Sequence, residues 1–101
     1  MTISIEDHNL LAGPKEFALG QNYPNPFSSN TTIKYSVPEP DNISIKVFDV
    51  IGREVFKKVE RVTFGGTYEF SLDGNNLKGG IYYYQFKSTN YQMTKKCILL
   101  K

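Results

Sequence analysis

Few residues in this chain have the types and spacing that chemistry needs. The only histidine, His8, lies in a polar stretch with no serine or cysteine in a nucleophile context near it. A Ser-His-Asp or Cys-His arrangement therefore has no basis here. Cys97 is the only cysteine, so an internal disulfide is excluded. With no metal-spaced partner, it reads as a small core hydrophobe rather than a nucleophile. Asp49 and Glu54 flank a turn, and turn chemistry explains Asp49 more simply than a calcium site. Gly79-Gly80 lacks the Lys-Ser/Thr and the helix of a phosphate loop. Tyr82, Tyr83 and Tyr84 are candidates for a sugar-stacking platform, but strand alternation would put Tyr82 and Tyr84 in the core. Asn30-Thr31-Thr32 and Asn42-Ile43-Ser44 match the glycosylation sequon, but each Asn already has a turn role, so they carry no weight.

The last stretch is less ordinary. Lys95 and Lys96 precede Cys97-Ile98-Leu99-Leu100, and Lys101 follows, with no acid from Tyr91 onward. Lysines on an edge strand commonly block aggregation, and that reading suffices. The functional alternative is a basic, extended segment open to a partner by strand addition, involving Lys95, Lys96, Ile98, Leu99, Leu100 and Lys101.

Composition limits what can position these residues. A length of 101 residues is one domain by size. Seven Phe and seven Tyr, with no Trp and no long Leu/Ala-rich amphipathic run, favour β structure. A net charge of +2 with both signs interspersed is too weak for a nucleic-acid footprint. No apolar run reaches membrane length, so stable insertion is not expected. The start lacks the basic and apolar regions of a signal peptide, which leaves a cytoplasmic protein or a piece of a longer precursor. No cofactor is implied.

The organising element is a hairpin over Ile43–Val59. Ile43, Ile45 and Val47 alternate with Ser44 and Lys46, the period of a half-buried strand. Asp49 suits the first position of a type I turn, Gly52 the left-handed closing position of a G1 bulge, and Arg53 opens the return arm. Other strands are expected at Phe17–Leu19, Thr31–Val37, Thr67–Leu72, Ile81–Lys87 and Tyr91–Leu100. Gly80 opens the sixth strand, and Tyr82, Tyr84 and Phe86 share its inner face. Residues 1–16 read as a linker and 17–101 as the domain. Gln21–Phe27, with Pro24 and Pro26, reads as an ordered loop pinned by Tyr23 and Phe27, and Arg61–Gly66 as a turn. About seven short strands with regular turn signals predict an all-β, antiparallel sandwich.

Leu19-Gly20-Gln21-Asn22-Tyr23-Pro24-Asn25-Pro26-Phe27, followed by Thr31-Thr32-Ile33-Lys34-Tyr35, resembles the opening of the type A C-terminal sorting domain of type IX secretion substrates. Val47–Val55, Gly66-Thr67-Tyr68, Leu77, Gly80–Tyr84 and Lys95–Lys101 follow in that family's order. Two departures are Ser28-Ser29, where the family often has Asn-Pro, and Cys97, where Met or another apolar residue is more usual. The resemblance implies an immunoglobulin-like sandwich at the C-terminus of a larger secreted protein. It also implies outer-membrane translocon and shuttle proteins as partners, and transit through the periplasm to the surface or medium. A sortase-like peptidase would then remove the domain from its upstream passenger, which is released or attached to surface lipopolysaccharide. The hairpin and the Asn-Pro-Phe opening also resemble the immunoglobulin-like domain of flagellar hook-capping proteins, so a structural module is the alternative. A sugar-binding accessory module of a hydrolase is a third reading.

Overall fold

The structure, a computed structural model, describes residues 13–101. His8 and most of the expected linker lie outside that range. Seven strands occur: β1 (Ala18–Leu19), β2 (Asn30–Val37), β3 (Asp41–Phe48), β4 (Glu54–Val62), β5 (Gly66–Asp73), β6 (Gly80–Lys87) and β7 (Gln92–Leu99). They form a three-stranded sheet, β1-β2-β5, and a four-stranded sheet, β4-β3-β6-β7. All strand pairings are antiparallel, and the described residues contain no helix. This is the antiparallel β-sandwich that the strand spacing predicted, in the immunoglobulin-like form that the family resemblance implied. Near the start of β6, the Tyr82 hydroxyl donates to the Lys78 carbonyl. That is the tyrosine corner characteristic of such sandwiches.

The alternation sets which side chains meet between the sheets. Ile43, Ile45 and Val47 of β3 and Ile33, Tyr35 and Val37 of β2 all point into the core, at 2% exposure or less. Tyr82, Tyr84 and Phe86 point inward from β6, while Tyr83 is 40% exposed. One parity slip would have turned each of these sets to water. Tyr68 shares the parity of buried Phe70 and Leu72 along β5 but is itself only half-buried. It sits on β5, an edge of its sheet, where its ring stacks on Tyr35 at a centroid distance of 5.8 Å.

The hairpin turn closes as the residue types dictate. The Gly52 N–H donates to the Asp49 carbonyl and the Asp49 N–H to the Arg53 carbonyl, both at 3.0 Å. Gly52 has φ +89°, a conformation that costs a side-chain-bearing residue about 1 kcal/mol or more. A second irregularity was not expected. Val47 pairs Phe56 but Phe48 pairs Glu54, so Val55 is an extra residue and bulges. The return strand is also longer than the alternation suggested. It runs to Val62, so the expected turn over Arg61–Gly66 shrinks to 63–65. Val62 is 3% exposed, and its burial extends the pairing as far as Asp41.

Candidate functional site

Strand β7 is one of the two outer strands of the four-stranded sheet. Pairing with β6 places Lys95 opposite Tyr84 and Lys96 opposite Tyr83. The two lysines therefore point to opposite faces. Lys95 lies half-buried at the rim of the core face, and Lys96 is exposed on the outer face. Cys97 and Leu99 are core residues, 0% and 1% exposed. Ile98 is half-buried on the outer face, and Leu100, just past the strand, is 56% exposed. The Lys101 ammonium donates to the Asn75 carbonyl at 3.0 Å and the Leu77 carbonyl at 2.6 Å. It is thus tied to the loop before β6 rather than extended into water.

The expectation of an open β7 edge needs correction. The segment after β1 first follows β2: Gly20 donates to the Lys34 carbonyl, and Tyr23 bridges Thr32. It then crosses to the other sheet at Pro24–Pro26 and lies beside β7. Phe27 donates to the Ile98 carbonyl at 2.9 Å and accepts from the Leu100 N–H at 2.8 Å. The Asn25 side chain accepts from the Ile98 N–H at 3.1 Å, and the Gln21 side chain donates to the Lys96 carbonyl at 2.9 Å. The outward backbone groups from the Lys96 carbonyl to the Leu100 N–H are therefore occupied. In this conformation no partner strand can pair there. The cause is the isolated parallel bridge between Phe27 and Leu99, a long-range contact that local alternation does not reveal.

The pin of this crossover also differs from expectation. Phe27 is buried at 2%, but Tyr23 is 81% exposed. Asn22, 2% exposed, takes the second role. Its amide donates to the Pro24 carbonyl at 3.1 Å and the Thr31 hydroxyl at 3.0 Å, and its side-chain oxygen accepts from Gln21 at 2.6 Å. An Asn just before Tyr-Pro was the one available signal, because short amides satisfy backbone groups that proline-rich loops leave unpaired.

At the same pole as Leu100 a cleft of about 560 Å³ opens between the hairpin turn and the start of β6. Val50, Ile51, Leu77, Ile81 and Tyr82 contribute to its lining. Val50 and Ile51 are 66% and 72% exposed at the turn tip. Asp49 and Arg53 hold that tip with an ion pair of 2.8 Å. Partial desolvation pushes the Asp49 carboxyl up. The Arg53 N–H and guanidinium, with the Ile51 N–H, outweigh it and hold the carboxyl below its ordinary range.

The remaining reactive groups are quiet. Burial pushes the Cys97 thiol up to about 11, far from a nucleophile's range. Of the three consecutive tyrosines only Tyr83 reaches solvent, so a three-ring platform does not form. Among the described residues no group of three or more His, Cys, Asp or Glu is placed to hold a metal ion.

Comparison with known families adds one match. The secretion system C-terminal sorting domain matches residues 21–100, most of the chain. No curated protein matches it. Domains of that family are in general non-catalytic sorting signals, and such a signal implies export to the cell surface or secretion. With its sandwich and its motifs in order over that span, the chain belongs to the family of type IX secretion C-terminal sorting domains.

Proposed function

We propose that this domain carries an upstream passenger across the outer membrane and meets the type IX translocon and its shuttle proteins through a side-chain strip of β7. The strip is Lys96, Ile98 and Leu100, with Lys95 at its rim. Leu99 and Lys101 hold it in shape from the core and from the loop before β6. Residues 1–16 link the domain to the passenger. A sortase-like peptidase cuts within that linker after passage through the periplasm, and the passenger is released or fixed at the surface.

One observation carries this reading. Phe17 packs against Phe86 and Tyr91, at ring-centroid distances of 6.4 and 5.4 Å, so the chain enters at one end of β6. Ile98 and Leu99 pair with the other end, at Ile81 and Gly80. Six residues of strand separate the two sites by about 20 Å. A receptor can grip Lys96–Leu100 while the linker stays accessible to a peptidase. Side-chain recognition is favoured over strand addition because the β7 backbone edge is occupied from the Lys96 carbonyl onward.

The test is export of an inert reporter fused upstream of this chain in a bacterium with a type IX system. Lys96→Gln combined with Leu100→Ser is expected to retain the reporter in the periplasm while the domain keeps its melting temperature. Export at the wild-type level by that folded variant would overturn the assignment of the strip.

A further inference from the structure

The outer face of the four-stranded sheet carries a charge pattern that edge protection does not explain. Register places Lys46 of β3 directly opposite Lys57 of β4, and Ser44, two residues before Lys46, opposite both Val59 and Lys87 of β6. Arg61 and Lys96 lie on the same face, opposite Asn42 and Tyr83. Five cations thus share the face with one carboxylate, Glu54, which approaches Lys46 at 3.9 Å. Lys57, Lys87 and Lys96 form no ion pair among the described residues. Lysines on β4 and β7 are ordinary edge guards. Lys46 and Lys87 stand on the two central strands, where no edge needs guarding. Like charges placed directly across a strand pair destabilise it, so the Lys46–Lys57 pairing has a stability cost without a structural return. The opposite sheet differs: on its outer face Lys34 is matched by Glu69 across β2 and β5, with Asp73 nearby in the same strand.

The same basic face is apolar at one end. Tyr83 and Ile81 are 40% and 38% exposed there, beside half-buried Phe48 and Ile98. Four of the five cations are lysines, flexible point charges without the fork that fixes a carboxylate partner. They are spread over all four strands of an open sheet face. A diffuse anionic plane satisfies such an array better than a protein surface with fixed acids. The apolar end, with a tyrosine whose hydroxyl can stay wet, suits the headgroup boundary.

From this geometry we infer that the outer face of β4-β3-β6-β7 docks the domain peripherally on an anionic lipid surface, with Lys46, Lys57 and Lys87 supplying the attraction and Ile81 and Tyr83 resting at the interface. This contact adjoins the β7 strip, whose Ile98 and Lys96 stand opposite Ile81 and Tyr83, but its three lysines lie outside that strip. It would hold the domain at the membrane plane before recognition.

Vesicle co-sedimentation of the complete chain tests it. Vesicles of phosphatidylcholine alone are compared with vesicles that also contain phosphatidylglycerol. Binding is expected only with the anionic lipid, and is expected to weaken as salt is raised. The triple variant Lys46→Gln, Lys57→Gln, Lys87→Gln is expected to lose roughly fivefold affinity per lysine. A control with the same charge loss elsewhere, Lys15→Gln, Lys34→Gln, Lys78→Gln, is expected to lose much less. Lys57→Glu alone guards against a folding artefact: it should weaken vesicle binding while raising the melting temperature, by relieving Lys46. Equal binding to neutral vesicles, no binding at low salt, or equal losses in the two triple variants would overturn the proposal, and the last two outcomes would leave the face to an acidic protein. Because Lys96 and Leu100 are untouched, failure here is distinguishable from failure of the sorting strip.

Discussion

The Tyr84 hydroxyl accepts the Asn22 backbone N–H at 2.9 Å and donates to the Gly20 carbonyl at 2.8 Å. This couple joins the central strand β6 to the crossover that closes one side of the sandwich. Tyr84 is fully buried, so both backbone groups depend on it. Removing only the oxygen separates the bond from the packing. Tyr84→Phe is expected to cost ~1–3 kcal/mol, because the buried Asn22 N–H and the part-buried Gly20 carbonyl lose their partner. Tyr84→Ala adds the loss of the ring and should cost ~3–5 kcal/mol. Urea denaturation of both variants checks the ordering; an unchanged stability in Tyr84→Phe would mean that the hydroxyl contributes nothing.

Two turn carboxylates set an acid limit. Asp49 is held below its ordinary pKa of 3.8 despite partial desolvation, by Arg53 and the Ile51 N–H. Asp41 is lowered chiefly by the Thr89 hydroxyl, which donates at 2.6 Å. A carboxyl with a depressed folded pKa stabilises the fold above its unfolded pKa, and that stability fades as pH falls through the folded value. The melting temperature should therefore fall as pH drops below the ordinary aspartate value. Asp49→Asn and Thr89→Val should each start lower at neutral pH and lose less on acidification. Parallel slopes for wild type and variants would remove both carboxylates from the account.

Cys97 works at the other end of the pH scale. Its thiol is raised by burial from 9.0 to about 11. The unfolded chain releases that proton first, so stability is whole below the unfolded pKa and declines as pH rises toward the folded one. Cys97→Val should flatten the stability profile across that window. In the native state at neutral pH the thiol should resist a disulfide reagent, then react fully in denaturant. Rapid labelling of the folded chain would show that the strand opens far more often than its burial implies.

Most of the sandwich was legible because period-2 alternation is a local property. Ile43, Ile45 and Val47, or Tyr82, Tyr84 and Phe86, declare their inner face within a few residues, and Asp49 with Gly52 declares a turn. The candidate site was legible only in part. The parity rule itself separates Lys95 from Lys96, so their shared sign on one strand was a poor guide to a shared surface. What closes the β7 edge is more than seventy residues away in sequence: Gln21 reaches Lys96 and Asn25 reaches Ile98. No local pattern encodes such a pairing. Tyr23 misled for a related reason. Aromatic residues usually anchor loops through apolar area, whereas this crossover is held by the amide of Asn22 bonding backbone that the prolines leave unpaired.

That covered edge yields the last prediction. An unpaired strand edge is a template for a second chain, and natural sheets hide it or charge it. Here the hiding depends on the side chains of Gln21 and Asn25 and on the backbone of Phe27. The double variant Gln21→Ala, Asn25→Ala removes two of those four hydrogen bonds and leaves the two made by Phe27. Each exposed bond contributes only ~0.5–1.5 kcal/mol, so the fold should survive. The Ile98 amide, which donates to Asn25 in the wild type, should exchange with deuterium markedly faster in the variant. The amide of Phe86 in the central strand β6 should be unchanged. Size-exclusion chromatography should show the variant self-associating more as concentration rises, through the freed part of β7. Lys96 opposes this association by charge, so adding Lys96→Gln should strengthen it. If Ile98 exchange is unaltered and the variant elutes like wild type, Phe27 alone seals the edge and the two amide side chains are incidental to it.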